Sequence, residues 1–395
     1  MALITPTRSI ERMVAAALIL GVAASPIPYL PLNVFGWLAI LPVVLLPALR
    51  SVAARVVVLL LVVSGGFQLI VDLTLAVPLE DLAKGVARYG GILFPLLGCL
   101  WAIERRLLDR HEVSLLHGIG WLVGAVVFFE PGPGHGLWKY GLLAPVSLIA
   151  VALFTRRWIS TQSKVWLLAL LPVAAVSLFT DTRVTAIELV LALLLSLVAT
   201  HSDSSGSIRI VLISTVFILL FSASANAGVF GEAIQAKWQK QGESPLSVLV
   251  VGRPEFSFSI AALSVERFSP HGSESISTAR AYAAGAAGII ALPEPEKNAV
   301  LDRLVSTELD LHSVIATAAW QGGAPCGLAF AVIFVLVVRR AVGLRSEQVK
   351  TLGPVYVYSM LVILWDFLFS PWTYFTGATW GIMLGIIFAS ERAKK

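Results

Sequence analysis

Residues 313–338 read SVIATAAWQGGAPCGLAFAVIFVLVV, carry no charged side chain, and are followed directly by Arg339 and Arg340. A helix needs about 20 apolar residues to cross the hydrocarbon core of a bilayer. This stretch is therefore long enough to form a transmembrane helix, and the two arginines mark its end. Apolar runs bounded by short basic segments recur along most of the chain, so the same interpretation extends outward in both directions.

The composition of the whole chain also favours a membrane location. Of the 395 residues, 57% are hydrophobic and 13% are charged, whereas soluble domains have roughly 25% charged residues. The two cysteines, Cys99 and Cys326, fall in apolar segments, which argues against a disulfide framework or a cysteine metal site. Neither a G-x-x-x-x-G-K-[ST] loop nor a G-x-G-x-x-G turn occurs. The sequence therefore predicts no nucleotide, nucleic acid, cofactor or metal ligand.

The predicted fold is an all-α polytopic membrane protein with about 12 transmembrane helices. Residues 1–228 hold spans 1–9, residues 229–312 form a large, partly helical loop, and residues 313–395 hold spans 10–12. The predicted spans lie near residues 12–30, 32–49, 54–76, 89–103, 114–130, 139–155, 165–180, 183–200, 208–228, 313–338, 352–369 and 374–390. Cleavage of residues 1–24 as a signal peptide is an alternative for the N-terminus, although the chain continues straight into another span.

The distribution of positive charges predicts the orientation, because cytoplasmic loops are rich in Lys and Arg. With both termini in the cytoplasm, the short outer loops hold Lys84, Arg88, Lys139 and Arg183. The cytoplasmic segments then hold a much larger set: Arg8, Arg12, Arg50, Arg55, Arg105, Arg106, Arg110, Arg156, Arg157, Lys164, Arg209, Arg339, Arg340, Arg345, Lys350, Arg392, Lys394 and Lys395. The large loop between helices 9 and 10 is therefore expected on the outer face.

Basic residues at the outer ends of spans are candidates for binding an anion. Arg88 is expected to start the fourth span, and Arg183 lies at the junction of the seventh and eighth spans. Guanidinium groups gathered at one outer cavity would suit a diphosphate, since arginine offers a planar fork of donors and keeps its charge. The alternatives are structural: Arg183 pairing with Asp181, and Arg88 extending to the interface.

Acidic residues inside spans are costly and so require an explanation. Glu188 and Asp366 are interpreted as polar contacts between helices, and Asp72 is left without an assigned role. In the large loop, His271 lies in a Pro-His-Gly turn, where a structural role is favoured. His312 lies instead at the predicted outer membrane boundary, where a neutral imidazole can accept a proton from a hydroxyl group.

Several of these residues stand in an order that resembles the O-antigen ligase and O-antigen polymerase family of bacterial envelopes. The resembling features are Thr182-Arg183 at the start of a span, Gly252-Arg253 in the outer loop, and His312-Ser313 before a span that carries Gly323 and Gly327. The layout of about twelve spans, with the large loop between the ninth and tenth, also resembles that family. The Ser that commonly precedes the first arginine is absent here, and Cys326 occupies the last position of the ligase Gly-x-x-Gly, Thr or Tyr pattern.

The resemblance implies a metal-independent glycosyltransferase in the bacterial inner membrane, acting at the periplasmic face. Its donor would be a glycan on undecaprenyl diphosphate, and its acceptor a hydroxyl of lipid A core or of another glycan. His312 would act as the base, Arg183 and Arg253 would hold the diphosphate, and Arg88 is a further candidate for the same task. Membrane lipids are the surrounding partners, and the choice between ligase and polymerase stays open.

A multi-span transporter, or a flippase for a lipid-linked unit, is the main alternative, and an inert scaffold is another. Transporter folds usually contain internal repeats with broken helices in matching places. No repeat relates the two halves of this sequence, and the link after the sixth span, residues 156–164, is short. The one long loop is instead predicted outside, after the ninth span.

Overall fold

In the computed structural model, the described residues are 6–24, 51–128, 142–161, 165–179, 182–199, 223–229, 254–273, 278–289, 313–344, 346–370 and 374–390, with a few single positions between them. Their regular structure is helical. The predicted span near 32–49, most of the span near 208–228, and much of the large loop lie outside these residues. Statements about those segments, including the domain boundaries, stay predictions.

Thirteen helices are described, numbered here in chain order. They are α1 (Pro6–Ala24), α2 (Val52–Thr74), α3 (Leu79–Glu104), α4 (Arg110–Phe128), α5 (Leu143–Thr161), α6 (Val165–Leu168), α7 (Leu170–Phe179), α8 (Arg183–Ala199), α9 (Pro254–Val265), α10 (Ala279–Gly288), α11 (Val314–Val342), α12 (Ser346–Phe369) and α13 (Tyr374–Phe388). Within them, α2, α3, α5, α11 and α12 are long and apolar enough to cross a membrane. These helices indicate a multi-pass helical membrane protein.

Small residues let two central helices approach closely. Gly377, Gly381 and Gly385 recur every four residues on the face of α13 that packs against α3. A methyl group added at Gly385 would lie 2.6 Å from both the Cβ and the Sγ of Cys99, and one at Gly381 would meet the carbonyl oxygen of Ile92. Glycine at this spacing is typical of tightly packed membrane helices.

Polar contacts join helix ends at the side of the bundle predicted to face the cytoplasm. The guanidinium of Arg110 donates to the carbonyl oxygens of Ile386 and Ala389, at 3.0 and 2.9 Å, and so satisfies the C-terminus of α13. Arg12 forms an ion pair with Glu112. The starts of α1 and α4 and the end of α13 therefore share one end of the bundle, as alternating spans require.

Proline breaks the helix in the predicted seventh span. That span divides into α6 and α7 at Ala169, because the ring of Pro172 has no N–H to donate to the carbonyl of Leu168. A second break, in α12, falls at Gly353, just before Pro354, with φ at +71°. Only glycine adopts that conformation without strain, and an added methyl group would also meet the side chain of Thr155.

A third break, in α11, is completed by a segment from the large loop. Gly323 has a φ of +77°, and Pro325 cannot donate to the carbonyl oxygen of Gln321. That oxygen instead accepts from the N–H of Gly272 at 2.9 Å, and Trp320 O accepts from His271 N at 3.0 Å. The Ala324 N–H donates to Phe268 O at 3.1 Å. The break therefore leaves backbone groups that residues 268–272 satisfy, as a low-dielectric environment demands.

The third helix starts earlier than the sequence predicted. The predicted fourth span, residues 89–103, corresponds to α3. This helix begins at Leu79, after Pro78. Charged residues in the first turns suggested a loop, yet they stabilise the helix, since Lys84 pairs with Glu80 and Asp81 at 3.2 and 3.1 Å. Arg88 therefore lies inside a helix instead of at its start.

Candidate functional site

The four arginine and histidine candidates differ in how far the structure describes them. Arg88 lies in α3 and is 7% exposed. Arg183 is the first residue of α8, and its side chain lies outside the described residues. Arg253 and His312 also lie outside them, immediately before α9 and Ser313. Residues shortly after Arg183, Arg253 and His312 are described, and they lie near the end of α12.

Ser313, the residue after His312, joins the start of α11 to the end of α12. Its hydroxyl donates to the backbone oxygen of Phe367 at 3.1 Å. The Ser313 Oγ atom also accepts from the N–H of Ala316 at 3.3 Å and so caps α11. A serine directly before an apolar run is a start signal for a helix. Its second bond fixes that start against α12.

The helix that follows Arg253 reaches the same place. Phe256, in the first turn of α9, packs against Phe369, the last residue of α12, with 5.4 Å between ring centroids. Trp365 packs against the same ring at 4.8 Å. Aromatic pairs in this range contribute favourably beyond their buried area. The end of α12 is thus an aromatic platform beneath the start of α9.

The first turns of α8, which follow Arg183, line a cavity beside this platform. The cavity has a volume of about 260 Å³. Its walls come from five helices, and its lining residues are Trp121, Ala144, Leu148, Val184, Thr185, Glu188, Tyr358, Val362, Trp365, Asp366, Ser370, Thr376, Thr379, Trp380 and Met383. The residues next to Arg183, Arg253 and His312 therefore contact one helix end, that of α12, and those next to Arg183 also line the cavity.

Two carboxylates face this cavity. Asp366 is held by two donors: the hydroxyl of Ser370 at 2.6 Å and the indole N–H of Trp380 at 2.8 Å. Glu188 is 7% exposed, and none of the described residues donates a hydrogen bond to its carboxylate. The sequence interpretation of both as contacts between helices is incomplete, since both side chains line an open space.

A buried histidine supports the cavity wall from behind. His117 of α4 is almost fully buried, and its Nε2 lies 3.0 Å from the hydroxyl of Thr379, a lining residue. The ring of Trp121, another lining residue, lies 6.0 Å from that of His117. No role was predicted for His117 from sequence, although an ionisable residue within an apolar span is the usual signal of a functional or structural polar contact.

A second polar cluster anchors the large loop away from the cavity. Asp72 of α2 is fully buried and accepts from both the backbone N–H and the hydroxyl of Ser273, at 2.7 and 2.8 Å. The amide of Gln68 donates to Asp72 at 2.9 Å. Asp72, unassigned from sequence, therefore holds a loop residue in place.

Arg88 lies near this anchored loop. Gly85, one turn before it on α3, contacts the hydroxyl of Ser273 so closely that no side chain would fit. Residues three apart share a helix face. The loop docks beside the half of α3 that carries Arg88, so the arginine is not a simple interfacial side chain extending into solvent.

The ring of His271 is stacked on that of Trp320, with centroids 3.8 Å apart and planes at 1°. The indole N–H of Trp320 donates to Ser275 at 2.9 Å. These contacts bind the turn to α11.

Comparisons with family models, curated proteins and solved structures find no match to this chain. Its class, a helical membrane protein, therefore follows from its own helices.

Proposed function

We propose that this chain is a membrane glycosyltransferase of the O-antigen ligase and polymerase type. It would move a glycan from undecaprenyl diphosphate to an acceptor hydroxyl at the periplasmic face of the bacterial inner membrane. The supporting observation is the end of α12, where Ser313 contacts Phe367, Phe256 contacts Phe369, and Thr185 shares a cavity with Asp366. Each of these contacts lies within three residues of a residue that the resemblance assigns a role.

In the proposed reaction, the acceptor oxygen bonds to the anomeric carbon of the donor sugar. The bond from that carbon to the phosphate oxygen breaks, and the diphosphate keeps the electron pair. His312 takes the proton of the acceptor hydroxyl. Arg183 and Arg253, with Arg88 as a third cation, stabilise the leaving diphosphate. Donors fixed in advance at the position where charge develops lower the barrier without a metal ion.

The proposed topology has about twelve spans, both termini in the cytoplasm and the large loop, residues 229–312, in the periplasm. In this arrangement the end of α12 that carries Asp366 faces outward. A polyprenyl chain requires an apolar surface, and the outer faces of the bundle expose large aliphatic side chains such as Leu59, Ile70 and Leu73 of α2.

The arginine variants test the proposal in a purified system. Full-length protein in lipid nanodiscs would be supplied with lipid-linked glycan and acceptor. Both substrates would be prepared from membranes that lack this protein. Arg183→Ala and Arg253→Ala should each abolish transfer, and Lys at either position should rescue only partly, since an ammonium cannot make bidentate contacts with phosphate. Arg280→Ala is the matched control, because Arg280 is an exposed arginine of the same loop.

Equal losses in Arg280→Ala would show that the assay reports loop charge instead of a diphosphate site. Full activity of Arg253→Lys would remove the bidentate role. The species that accumulates in a deletion strain then separates the two reactions: unligated polymer on the carrier indicates a ligase, and single repeat units indicate a polymerase.

A transporter or flippase is the second candidate, and Glu188 favours it. Buried carboxylates that face a cavity within a membrane bundle are typical of ion-coupled transport. Proteoliposomes with fluorescent lipid-linked glycan distinguish the two functions: a flippase moves the label to the other leaflet without breaking the bond to phosphate, whereas a transferase releases the lipid diphosphate.

A further inference from the structure

The cavity lined by α4, α5, α8, α12 and α13 contains several ordered polar groups. Asp366 cannot rotate freely, because Ser370, the residue after α12, and Trp380 of α13 donate to its two oxygens. Trp380 is fully buried, so its indole is fixed as well. Thr379 is held in turn by His117. Groups positioned in this way are pre-organised, which reduces the entropy lost when a ligand binds.

Glu188 is the feature that requires a ligand. Its side chain is nine-tenths buried and lines the cavity, and it lacks a hydrogen-bond donor among the described residues. A buried carboxyl group without a hydrogen-bond partner is unfavourable, because its desolvated oxygens lose the hydrogen bonds that water would give them. Molecules with O–H groups can provide the missing donors, whereas a lipid acyl chain in the same space would leave the carboxylate unpaired.

The remaining walls are aromatic. Trp121 and Trp365 are only partly buried and line the cavity together with the two carboxylates, while Tyr358 and Trp380, also in its wall, are almost fully buried. Flat apolar rings beside hydrogen-bond acceptors match a pyranose, which has C–H groups on its faces and hydroxyl groups around its edge. The volume of about 260 Å³ lies below the 300–1,000 Å³ of pockets for drug-sized ligands. The space therefore suits one ring and not an oligosaccharide.

We propose that this cavity is a subsite for one sugar residue, whose hydroxyl groups donate to Glu188 and approach Asp366. The inference rests on the proposed function for the source of the sugar, which would be a glycan substrate brought to the end of α12. Glu188 and Asp366 are binding residues in this scheme, not catalytic ones. The cavity would select the terminal sugar, while the arginines hold the diphosphate.

Photo-crosslinking in native membranes tests occupancy without requiring transfer. The full-length chain would carry Val184→p-benzoylphenylalanine, at a lining position of α8. After irradiation, adducts would be digested and identified by mass spectrometry. Adducts that contain sugar, and that disappear after periodate cleavage of vicinal diols, are expected. The same substitution at Val126, a 66% exposed position on α4, is the positional control and should give lipid adducts only.

Replacement of the Glu188 carboxyl group by an amide should then reduce binding. Combined with Val184→p-benzoylphenylalanine, Glu188→Gln should lower the yield of sugar adducts at least about tenfold, since the amide places an N–H donor where a carboxyl oxygen would accept from a sugar hydroxyl. Glu104→Gln is the matched control: Glu104 is also 7% exposed but accepts from the backbone of Ser390 at the other end of the bundle. It should leave the yield unchanged.

The outcomes separate this inference from the proposed function. If the wild-type protein transfers glycan and His312→Ala does not, sugar adducts that persist in His312→Ala support both the subsite and the proposed function. If the wild-type protein forms sugar adducts but transfers no glycan, the subsite stands and the proposed enzyme activity is contradicted. Phospholipid adducts alone at residue 184, or sugar adducts that do not depend on Glu188, overturn the subsite.

Discussion

The Ser313 hydroxyl donates a hydrogen bond to the backbone carbonyl oxygen of Phe367, across 3.1 Å, while it caps α11 through Ala316. One side chain thus satisfies the start of α11 and a carbonyl near the end of α12. Because His312 precedes Ser313 and Asp366 precedes Phe367, this bond connects the predicted catalytic residue to the helix that carries the cavity. The two features would otherwise be separate observations.

Ser313→Ala should therefore destabilise the protein and reduce transfer. Loss of an N-cap costs about 0.5–2 kcal/mol, and the thermal midpoint of the detergent-solubilised protein should fall. Ser359→Ala is the control, because among the described residues the hydroxyl of buried Ser359 bonds only to Val355 O, within its own helix. An equal fall in both variants would show that the contact between α11 and α12 adds nothing.

Gly323→Ala should loosen the docking of the large loop. The φ of +77° is unfavourable for alanine, and the cost of such strain is about 1–3 kcal/mol. The loop segment 268–272 should then be released, which trypsin would report by faster cleavage after exposed Arg267 in spheroplasts. Gly66→Ala is the control: Gly66 lies within α2, and a methyl group added there would meet no atom within 4 Å. That change should be neutral or stabilising by about 0.5–1 kcal/mol.

Asp72→Asn should act on the same loop from the opposite side. Asp72 accepts two hydrogen bonds from Ser273 and one from Gln68, and the amide would place a donor against one of these donors. The expected cost is about 1–3 kcal/mol. Faster trypsin cleavage after Arg267 should again result. Unchanged cleavage would mean that the backbone bonds of residues 268–272 to α11 hold the loop alone.

Several helices could be predicted from sequence, because local composition decides them. The apolar runs marked α2 and α11 closely and located the end of α12. The break at Gly323 could not be located without the loop that satisfies it, since that pairing is a contact between segments distant along the chain. The cavity escaped prediction for the same reason: Glu188 and Asp366 meet only through the packing of α8 on α12.

The orientation of the bundle is a separate prediction. Alkaline phosphatase fused near Gly242 should be active, and a fusion at Lys395 should be inactive, because the basic residues of the short loops are concentrated on one side. The reverse pattern would place the end of α12 in the cytoplasm. The diphosphate-linked donor would then lie on the wrong side, and the proposed reaction would be excluded.

The sharpest prediction concerns His312. If it accepts the proton of the acceptor hydroxyl, His312→Ala should lower the rate of the chemical step about 10²–10⁴-fold. Donor binding should persist, because the proposed mechanism assigns that task to the arginines. His312→Gln retains a hydrogen bond but takes no proton at neutral pH, so it should be nearly as slow. An active Gln variant would leave His312 only a positioning role.

His271 provides the control for this experiment. Its imidazole is stacked on Trp320, so His271→Ala removes an aromatic contact worth about 0.5–1.5 kcal/mol and should lower stability. The rate per folded molecule should change little, since the stack binds the loop to α11 and not to the end of α12. A folded His271→Ala protein without activity, beside an active His312→Ala protein, would show that the proposal assigns the chemistry to the wrong histidine. The bond between Ser313 and Phe367 would then be structural only.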